Sequence, residues 1–356
     1  MNKKFILKKT KDILLKPQKC AMPLYVQIEA TSFCNLRCKM CVRNDTVKNP
    51  KHLSFEKFKE IYDQVKAPKL TLSGLGEPML NPELTKMIRY AKSFGASVMI
   101  PSNGTLLNKF SIAKDIFDSG LNVLKISIDS AKKDTYLKIR GQDCFDDIIE
   151  GINKLQSIKK DLLFPDIRLD VVILDDNINE IPDIIKLAKD LKINNIFFRA
   201  LQAEGLDEER RNNLGKNIDF ANLISKIKEA LHYASKYSIN TNLKEILGEF
   251  NHYKSIYVTL DSKMQNRICL LPFFQCYITA EGQLSPCCAL YNNEKISAGN
   301  VFEQGFEAVW NGKEMQKLRK QFAKKTHNFA VCKDCIPRSI SVLFKMSRML
   351  PKFIKS

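Results

Sequence analysis

Residues 31–41 read Thr-Ser-Phe-Cys-Asn-Leu-Arg-Cys-Lys-Met-Cys and hold three cysteines, Cys34, Cys38 and Cys41, at the spacing C-x3-C-x2-C. The alternating apolar residues of Leu24–Ala30, just before them, predict a β-strand. Three thiolates on one short loop can hold three irons of a [4Fe–4S] cluster and leave the fourth iron without a protein ligand. Because such an iron can bind and reduce a small molecule, the stretch predicts a reactive cluster at the end of a strand.

Two other kinds of site use closely spaced cysteines. A zinc knuckle needs a fourth Cys or His close by, and only His52 is near. A ferredoxin loop carries its fourth cysteine, followed by proline, a few residues later, and this loop has none there. The spacing therefore favours a cluster with an open iron over both alternatives.

Strand-like and helical stretches alternate after the cysteine loop. The predicted strands are Leu24–Ala30, Lys69–Ser73, Ser97–Pro101, Val123–Ile128, Arg168–Leu174 and Asn195–Ala200. Helical patterns lie between them at Ser54–Val65, Asn81–Phe94, Leu107–Ser119, Phe145–Lys159 and Ile178–Leu191. Six βα units predict an α/β fold with a parallel sheet curled as a partial (β/α)6 TIM-like barrel. In such sheets the functional groups collect at the carboxyl ends of the strands.

Short polar motifs follow three of these strands. They contain Gly76 and Glu77 after the second strand, Asn103 after the third, Ser127 and Asp129 at the end of the fourth, and Arg140 beyond the next short helix. Each motif alone could be ordinary turn or N-cap chemistry. Together they bring three features to one edge of the sheet: a glycine that lets the backbone approach a ligand closely, a hydroxyl and a guanidinium. These features suit a polar ligand with a carboxylate.

The cysteine spacing, the intervening Asn-Leu-Arg and the strand-end motifs together resemble the radical S-adenosylmethionine (SAM) superfamily. In that family the open iron binds the amino and carboxylate groups of SAM, and an electron from the cluster cleaves SAM to methionine and a 5′-deoxyadenosyl radical. The family usually reads Gly-Gly-Glu-Pro where this chain has Leu75 in place of a glycine. The resemblance implies SAM-binding roles for Gly76, Glu77, Asn103, Ser127, Asp129 and Arg140.

Six further cysteines lie late in the chain, around a predicted β-hairpin and a terminal C-x2-C. This layout resembles the SPASM/twitch domains that follow radical SAM barrels. The resemblance implies one auxiliary [4Fe–4S] cluster held by Cys269, Cys287, Cys332 and Cys335. We expect Cys276 and Cys288 to be buried thiols, with a ligand role as the alternative. A zinc ribbon is the alternative for the whole set.

These patterns divide the chain into five predicted parts. They are a basic N-terminal segment (1–23), the radical SAM partial barrel (24–215), a helical linker (216–265), a small α+β SPASM/twitch-like auxiliary cluster domain (266–337) and a basic amphipathic tail (338–356).

The chain has 356 residues, a formal net charge of +18 and eleven cysteines. Without a secretory leader, this cysteine content favours reduced, metal-binding thiols in a cytoplasmic protein. Most of the charge fits a solvated, lysine-rich surface. The two basic, apolar ends leave open a peripheral association with the anionic inner membrane surface, whereas we do not expect nucleic acid as a partner.

We therefore expect an enzyme that cleaves SAM and abstracts a hydrogen atom from an unidentified substrate. A second cluster could take up the electron that a substrate radical loses, which favours an oxidoreductase acting on a small-molecule, sugar or lipid-linked substrate. A peptide or protein maturase is the alternative within the family. A non-catalytic iron–sulfur or zinc protein that binds nucleic acid or membrane is the alternative outside it. The resemblance also implies a flavodoxin- or ferredoxin-type electron donor.

Overall fold

In a computed structural model of the chain, the structure describes residues 20–157, 165–201, 206–248, 250–251, 254, 269–290, 297–324, 326, 329 and 332. Most of the predicted basic N-terminal segment, the whole basic tail and Cys335 lie outside these residues. The described helices include none that is long and apolar enough to cross a membrane.

The described residues form one ten-stranded sheet with the order β10-β9-β8-β1-β2-β3-β4-β5-β6-β7. The strands are β1 Tyr25–Ile28, β2 Lys69–Leu72, β3 Ser97–Ser102, β4 Val123–Ser127, β5 Asp166–Val172, β6 Asn195–Arg199, β7 Asn240–Thr241, β8 Gln275–Ile278, β9 Gln283–Ser285 and β10 Gly299–Asn300. Strands β1 to β7 pair in parallel, which confirms the predicted α/β class and the partial TIM-like barrel.

The α-helices lie between and after these strands. They are α1 Arg43–Thr46, α2 Phe55–Val65, α3 Leu84–Ser93, α4 Phe110–Phe117, α5 Lys133–Arg140, α6 Phe145–Ser157, α7 Ile181–Asp190, α8 Glu208–Asn213, α9 Phe220–Lys236, α10 Leu243–Gly248, α11 Val301–Gln304, α12 Phe306–Trp310 and α13 Lys313–Lys324. Ser54 caps α2 by accepting a hydrogen bond from the Lys57 N–H, as its position before the apolar pattern predicts.

Side chains alternate between the two faces of the sheet. On β4, Leu124 and Ile126 are fully buried, whereas Lys125 and Ser127 keep partial exposure. Right-handed crossovers place the intervening helices on one side of a parallel sheet, so the buried side chains face the helices. The opposite side of β1 to β6, here called the inner face, carries the partly exposed and more polar side chains.

Two late segments extend this sheet at its edges. The segment predicted as a linker contributes α9, and it also contributes β7, which pairs with β6. The predicted hairpin forms as β8 and β9, and β8 pairs in parallel with β1 through the register Val26↔Cys276. The hairpin of the second cysteine set is therefore continuous with the sheet that carries the cysteine loop.

Candidate active site

The cysteine loop leaves the end of β1 and is held by the loop that follows β2. The Gly76 N–H donates to Thr31 O (3.1 Å), and the Glu77 N–H donates to Phe33 O (2.7 Å). A Cβ atom at Gly76 would lie 2.3 Å from Phe33 O, well inside van der Waals contact. Glycine is needed here because the two backbones touch.

Hydrogen-bond donors point at the sulfurs of the cysteine loop. Cys34 Sγ receives the Leu36 N–H (3.5 Å) and the Asn103 Nδ2 amide (3.9 Å), and Cys38 Sγ receives Arg140 Nη1 (3.7 Å). Burial raises the pKa of Cys34 and of Cys41, so that the thiolates need stabilisation to form. Donors directed at sulfur stabilise the thiolate, which is the form that binds metal.

The donor set fits a cluster ligand loop. Three thiols of one loop lie at the carboxyl end of β1, where the motifs after β2, β3 and β4 surround them. Within the described residues, no three His, Cys, Asp or Glu side chains converge as ligands of a single metal ion, so the fit to a cluster rests on the chemistry and placement of the three thiols and not on a preformed ligand cage.

Glu77 is buried and bound to protein groups. Its carboxylate accepts hydrogen bonds from the Met79 N–H (3.1 Å), the Ser102 hydroxyl (2.9 Å) and the Asn103 N–H (2.6 Å). Burial raises its pKa to about 7, and these three donors oppose that shift. Through these hydrogen bonds Glu77 connects the end of β2 to the end of β3.

Asn103 links the end of β3 to the cysteine loop. Its amide Nδ2 donates to Asn35 Oδ1 (2.9 Å), and its Oδ1 accepts from the N–H and the hydroxyl of Thr105. Asn35 donates in turn to the Thr105 hydroxyl (2.8 Å). The Asn35 between Cys34 and Cys38 thus has a structural partner that the sequence does not reveal.

Asp129 and Arg140 form a buried ion pair at the end of β4. Arg140 Nη2 lies 2.6 Å from Asp129 Oδ2, and the Val172 N–H donates to Asp129 Oδ1 (2.8 Å). Burial alone would lower the pKa of Arg140, but Asp129 and Cys38 reverse that shift and raise it. Because Arg140 also contacts Cys38 Sγ, the pair connects β4 and β5 to the cysteine loop.

Ser127 lies on the inner face at the end of β4, where it is partly exposed and opposite Asp170 of β5. Among the predicted SAM-binding residues it is less buried than Glu77, Asn103, Asp129 and Arg140, which all have relative exposures of 8% or less. The structure thus brings all six predicted residues to one edge of the sheet, and the side chains of four of them already have protein partners.

The second cysteine set is described in part. Cys269, Cys287 and Cys332 are half-buried and pack against the main hydrophobic core, and the Cys269 N–H donates to Phe322 O (3.3 Å) on α13. Cys335 lies outside the described residues. Cys276 is buried, as expected, but the expectation of burial is wrong for Cys288, which is exposed because it follows β9 in a short surface helix.

Two residues that the motifs did not include support the site. Glu29, at the end of β1, accepts hydrogen bonds from the Leu75 N–H (2.9 Å) and the Ala280 N–H (3.1 Å). Arg210 of α8 donates to Cys41 O (3.1 Å) and pairs with Asp45 and Asp207. Glu29 is the acidic residue of the predicted strand Leu24–Ala30, which is a signal visible in the sequence, whereas Arg210 lies in a charged helix that carries no motif.

Comparison with known proteins adds independent evidence. Residues 28–188 match the radical SAM superfamily, and residues 269–336 match the SPASM model, described as an iron-sulfur cluster-binding domain.

The similar curated proteins align over most of the chain. The AdoMet-dependent heme synthase of Methanosarcina barkeri is 27% identical over 308 residues, which cover 83% of this chain and 85% of that protein. The tungsten-containing aldehyde ferredoxin oxidoreductase cofactor-modifying protein of Pyrococcus furiosus is 24% identical over 325 residues, which cover 87% of this chain and 86% of that protein.

A solved structure shares the fold. Streptococcus suis SuiB bound to S-adenosylmethionine aligns with a TM-score of 0.67 at 16% identity and covers 92% of this chain and 76% of that chain. The two domain matches imply a SAM-binding [4Fe–4S] cluster and auxiliary iron–sulfur binding. The chain therefore contains a radical SAM domain and a SPASM iron–sulfur cluster-binding domain.

Proposed function

We propose that this radical SAM enzyme cleaves SAM reductively and removes a hydrogen atom from a substrate held at the inner face of the sheet. Cys34, Cys38 and Cys41 would hold the SAM-binding cluster, and Cys269, Cys287, Cys332 and Cys335 the auxiliary one. When bound, the first cluster supplies the electron that cleaves SAM, and the second can take up an electron. The observation that carries the proposal is the convergence of the strand-end motifs on the three-cysteine loop through hydrogen bonds to its sulfurs and carbonyls.

The residues of the site have two different roles, positioning the cysteine loop and contacting SAM. Glu77 and the Asp129–Arg140 pair are positioning residues, since they join strand ends and the cysteine loop. Gly76 allows close backbone approach to that loop, and Ser127 offers a hydroxyl on the inner face. We assign the SAM-contacting role to Ser127 and to the backbone beside Gly76.

We further propose a net oxidation of a small-molecule, sugar or lipid-linked substrate. The support is the second cysteine set, whose hairpin belongs to the same sheet as the strand that carries the first set. Peptide modification is the second candidate, because SuiB, which shares the fold, was also solved bound to its precursor peptide SuiA. A flavodoxin- or ferredoxin-type donor would supply electrons. Residues 1–23 and 338–356 would mediate any contact with an anionic membrane surface.

The test is anaerobic reconstitution followed by reduction with dithionite in the presence of SAM. We expect about eight irons per chain, four for each [4Fe–4S] cluster, and conversion of SAM to 5′-deoxyadenosine. Cys34→Ala should abolish the conversion, while the matched control Cys144→Ala, a half-buried cysteine outside both sets, should not. Bound zinc in place of iron, or no 5′-deoxyadenosine, would reject the proposal. Deuterium transfer from labelled sugars, lipids or peptides into 5′-deoxyadenosine would then separate the substrate classes.

A further inference from the structure

A charged cluster lies on the inner face beside the candidate SAM site. It consists of Lys125 on β4, Asp170 on β5 and Arg199 on β6, which occupy partly exposed positions of their strands. Asp170 is the register partner of Ser127. The cluster therefore adjoins the candidate site, although none of its members belongs to the strand-end motifs.

The positive charge of this cluster exceeds its negative charge. Arg199 Nε donates to Asp170 Oδ2 (2.8 Å), whereas Lys125 Nζ stays 3.6 Å from Asp170 Oδ1, which is too long for a hydrogen bond. Among the described residues, Asp170 Oδ1 has no hydrogen-bond partner. Two cations thus share one carboxylate, and one unit of positive charge is left uncompensated.

An aromatic ring lies beside both cations. Phe197 of β6 is 42% exposed, and its ring centroid lies 5.3 Å from Lys125 Nζ and 4.9 Å from Arg199 Cζ. Cation–π attraction of this kind holds both cations beside the same ring. The arrangement offers two positive groups and an open apolar surface to the same space.

We propose that Lys125 and Arg199 form an anion-binding subsite that holds a carboxylate or phosphate of the substrate, with its carbon framework against Phe197. The proposal rests on the proposed function and narrows its substrate class to anionic molecules. The Lys125 side chain is only 15% exposed, so water compensates its charge poorly, and a substrate anion would add a second negative charge to the one carboxylate that Lys125 shares with Arg199. A neutral sugar would leave that charge uncompensated.

The protonation state of Lys125 makes anion binding at the subsite depend on pH. Burial lowers the pKa of Lys125 to about 8, although Asp170 opposes this shift, and the neighbouring Arg199 and Arg168 lower it further. The charged form is lost as the pH rises through that value. Anion affinity should therefore fall between pH 7 and pH 9.

The test is isothermal titration of the anaerobically reconstituted, SAM-saturated enzyme with two probes, sodium sulfate and sodium acetate. Lys125→Met and Arg199→Gln should each weaken binding at least tenfold, while Lys125→Arg should retain it. The matched control is Lys186→Met on α7, because Lys186 also lies over an aromatic ring (Tyr233) but is paired with Asp183 at 2.9 Å, outside the inner face. The affinity of this control variant for both anions should stay within twofold of the wild-type affinity. Tighter sulfate binding would identify a phosphate-bearing substrate, and tighter acetate binding a carboxylate.

Three results would overturn the subsite. They are no saturable binding by the SAM-saturated wild type, equal binding by the wild type and both charge-removing variants, and sulfate binding that a parallel titration finds only in the enzyme without SAM. The last result would assign these cations to the SAM carboxylate. A separate assay without substrate measures whether the wild type forms 5′-deoxyadenosine, and this assay tests the proposed function. A failure of the subsite can therefore be distinguished from a failure of the proposed function.

Discussion

Arg140→Met should destabilise the fold around the cysteine loop by about 3–5 kcal/mol, the usual cost of removing one partner of a buried ion pair. Asp129 has no solvent exposure, and its carboxylate faces Arg140 Nη2 at 2.6 Å. Without the guanidinium, only the Val172 N–H remains as a donor to that carboxylate. The loss is a large part of the roughly 5–15 kcal/mol that stabilises a typical domain.

The assay is urea unfolding of the apoprotein, followed by circular dichroism. The double variant Asp129→Asn/Arg140→Met should recover most of the loss, because no uncompensated charge stays buried. The control is Lys154→Met, which breaks a half-exposed pair with Glu150 on α6 and should cost less than about 1 kcal/mol. The reasoning is refuted if Arg140→Met costs no more than Lys154→Met, or if the double variant is as unstable as the single one.

Three further substitutions test other parts of the site. Burial raises the folded-state pKa of Glu77 to about 7, so the free energy of unfolding should fall as the pH rises to 7. Glu77→Gln should remove most of this fall, measured by urea titrations at pH 5 and pH 8. Gly76→Ala should reduce bound iron after reconstitution because its Cβ meets backbone oxygens of the cysteine loop, whereas Gly248→Ala, whose Cβ meets nothing within 4 Å, should bind iron like the wild type. Arg210→Gln should speed cluster loss to a chelator, seen as bleaching of the iron–sulfur absorbance, because it removes the donor to Cys41 O; an unchanged rate would contradict this role.

The central sheet could be predicted because its signals are local. Apolar alternation defines each strand, and six repeated βα units leave a parallel sheet as the simple arrangement. The attachment of β8 to β1 could not be predicted, because it joins residues about 250 positions apart (Tyr25↔Gln275) and no local pattern encodes it. For the same reason the short β7 was missed, since its two residues carry no alternation.

The location of the candidate site could be predicted from the sequence, whereas the side chains that face the ligand could not. Parallel strands bring their carboxyl ends to one edge, so motifs after β2, β3 and β4 had to meet the cysteine loop. Which side chains face the ligand depends on pairings made in three dimensions. Glu77 and Arg140 resemble ligand contacts in the sequence, yet Ser102, Asn103 and Asp129 already bind them in the fold.

The inner-face cluster illustrates the same limit. Lys125, Asp170 and Arg199 are unremarkable charges on three separate strands of the sequence. Only the register, which sets Ser127 opposite Asp170 and Val172 opposite Arg199, brings them together. Charge balance at a site is therefore a property of strand pairing and could not be read from composition.

Electron-nuclear double resonance on enzyme that is frozen directly after dithionite reduction, before SAM is cleaved, tests the central claim most directly. SAM labelled with ¹³C at its carboxylate and ¹⁵N at its amino group would be added to the reconstituted protein. If Cys34, Cys38 and Cys41 leave one iron open for SAM, both labels should couple to the cluster spin, and the coupling should vanish in Cys38→Ala. A reduced cluster that shows no coupling to either label would mean that no iron is open to SAM, and would contradict the account.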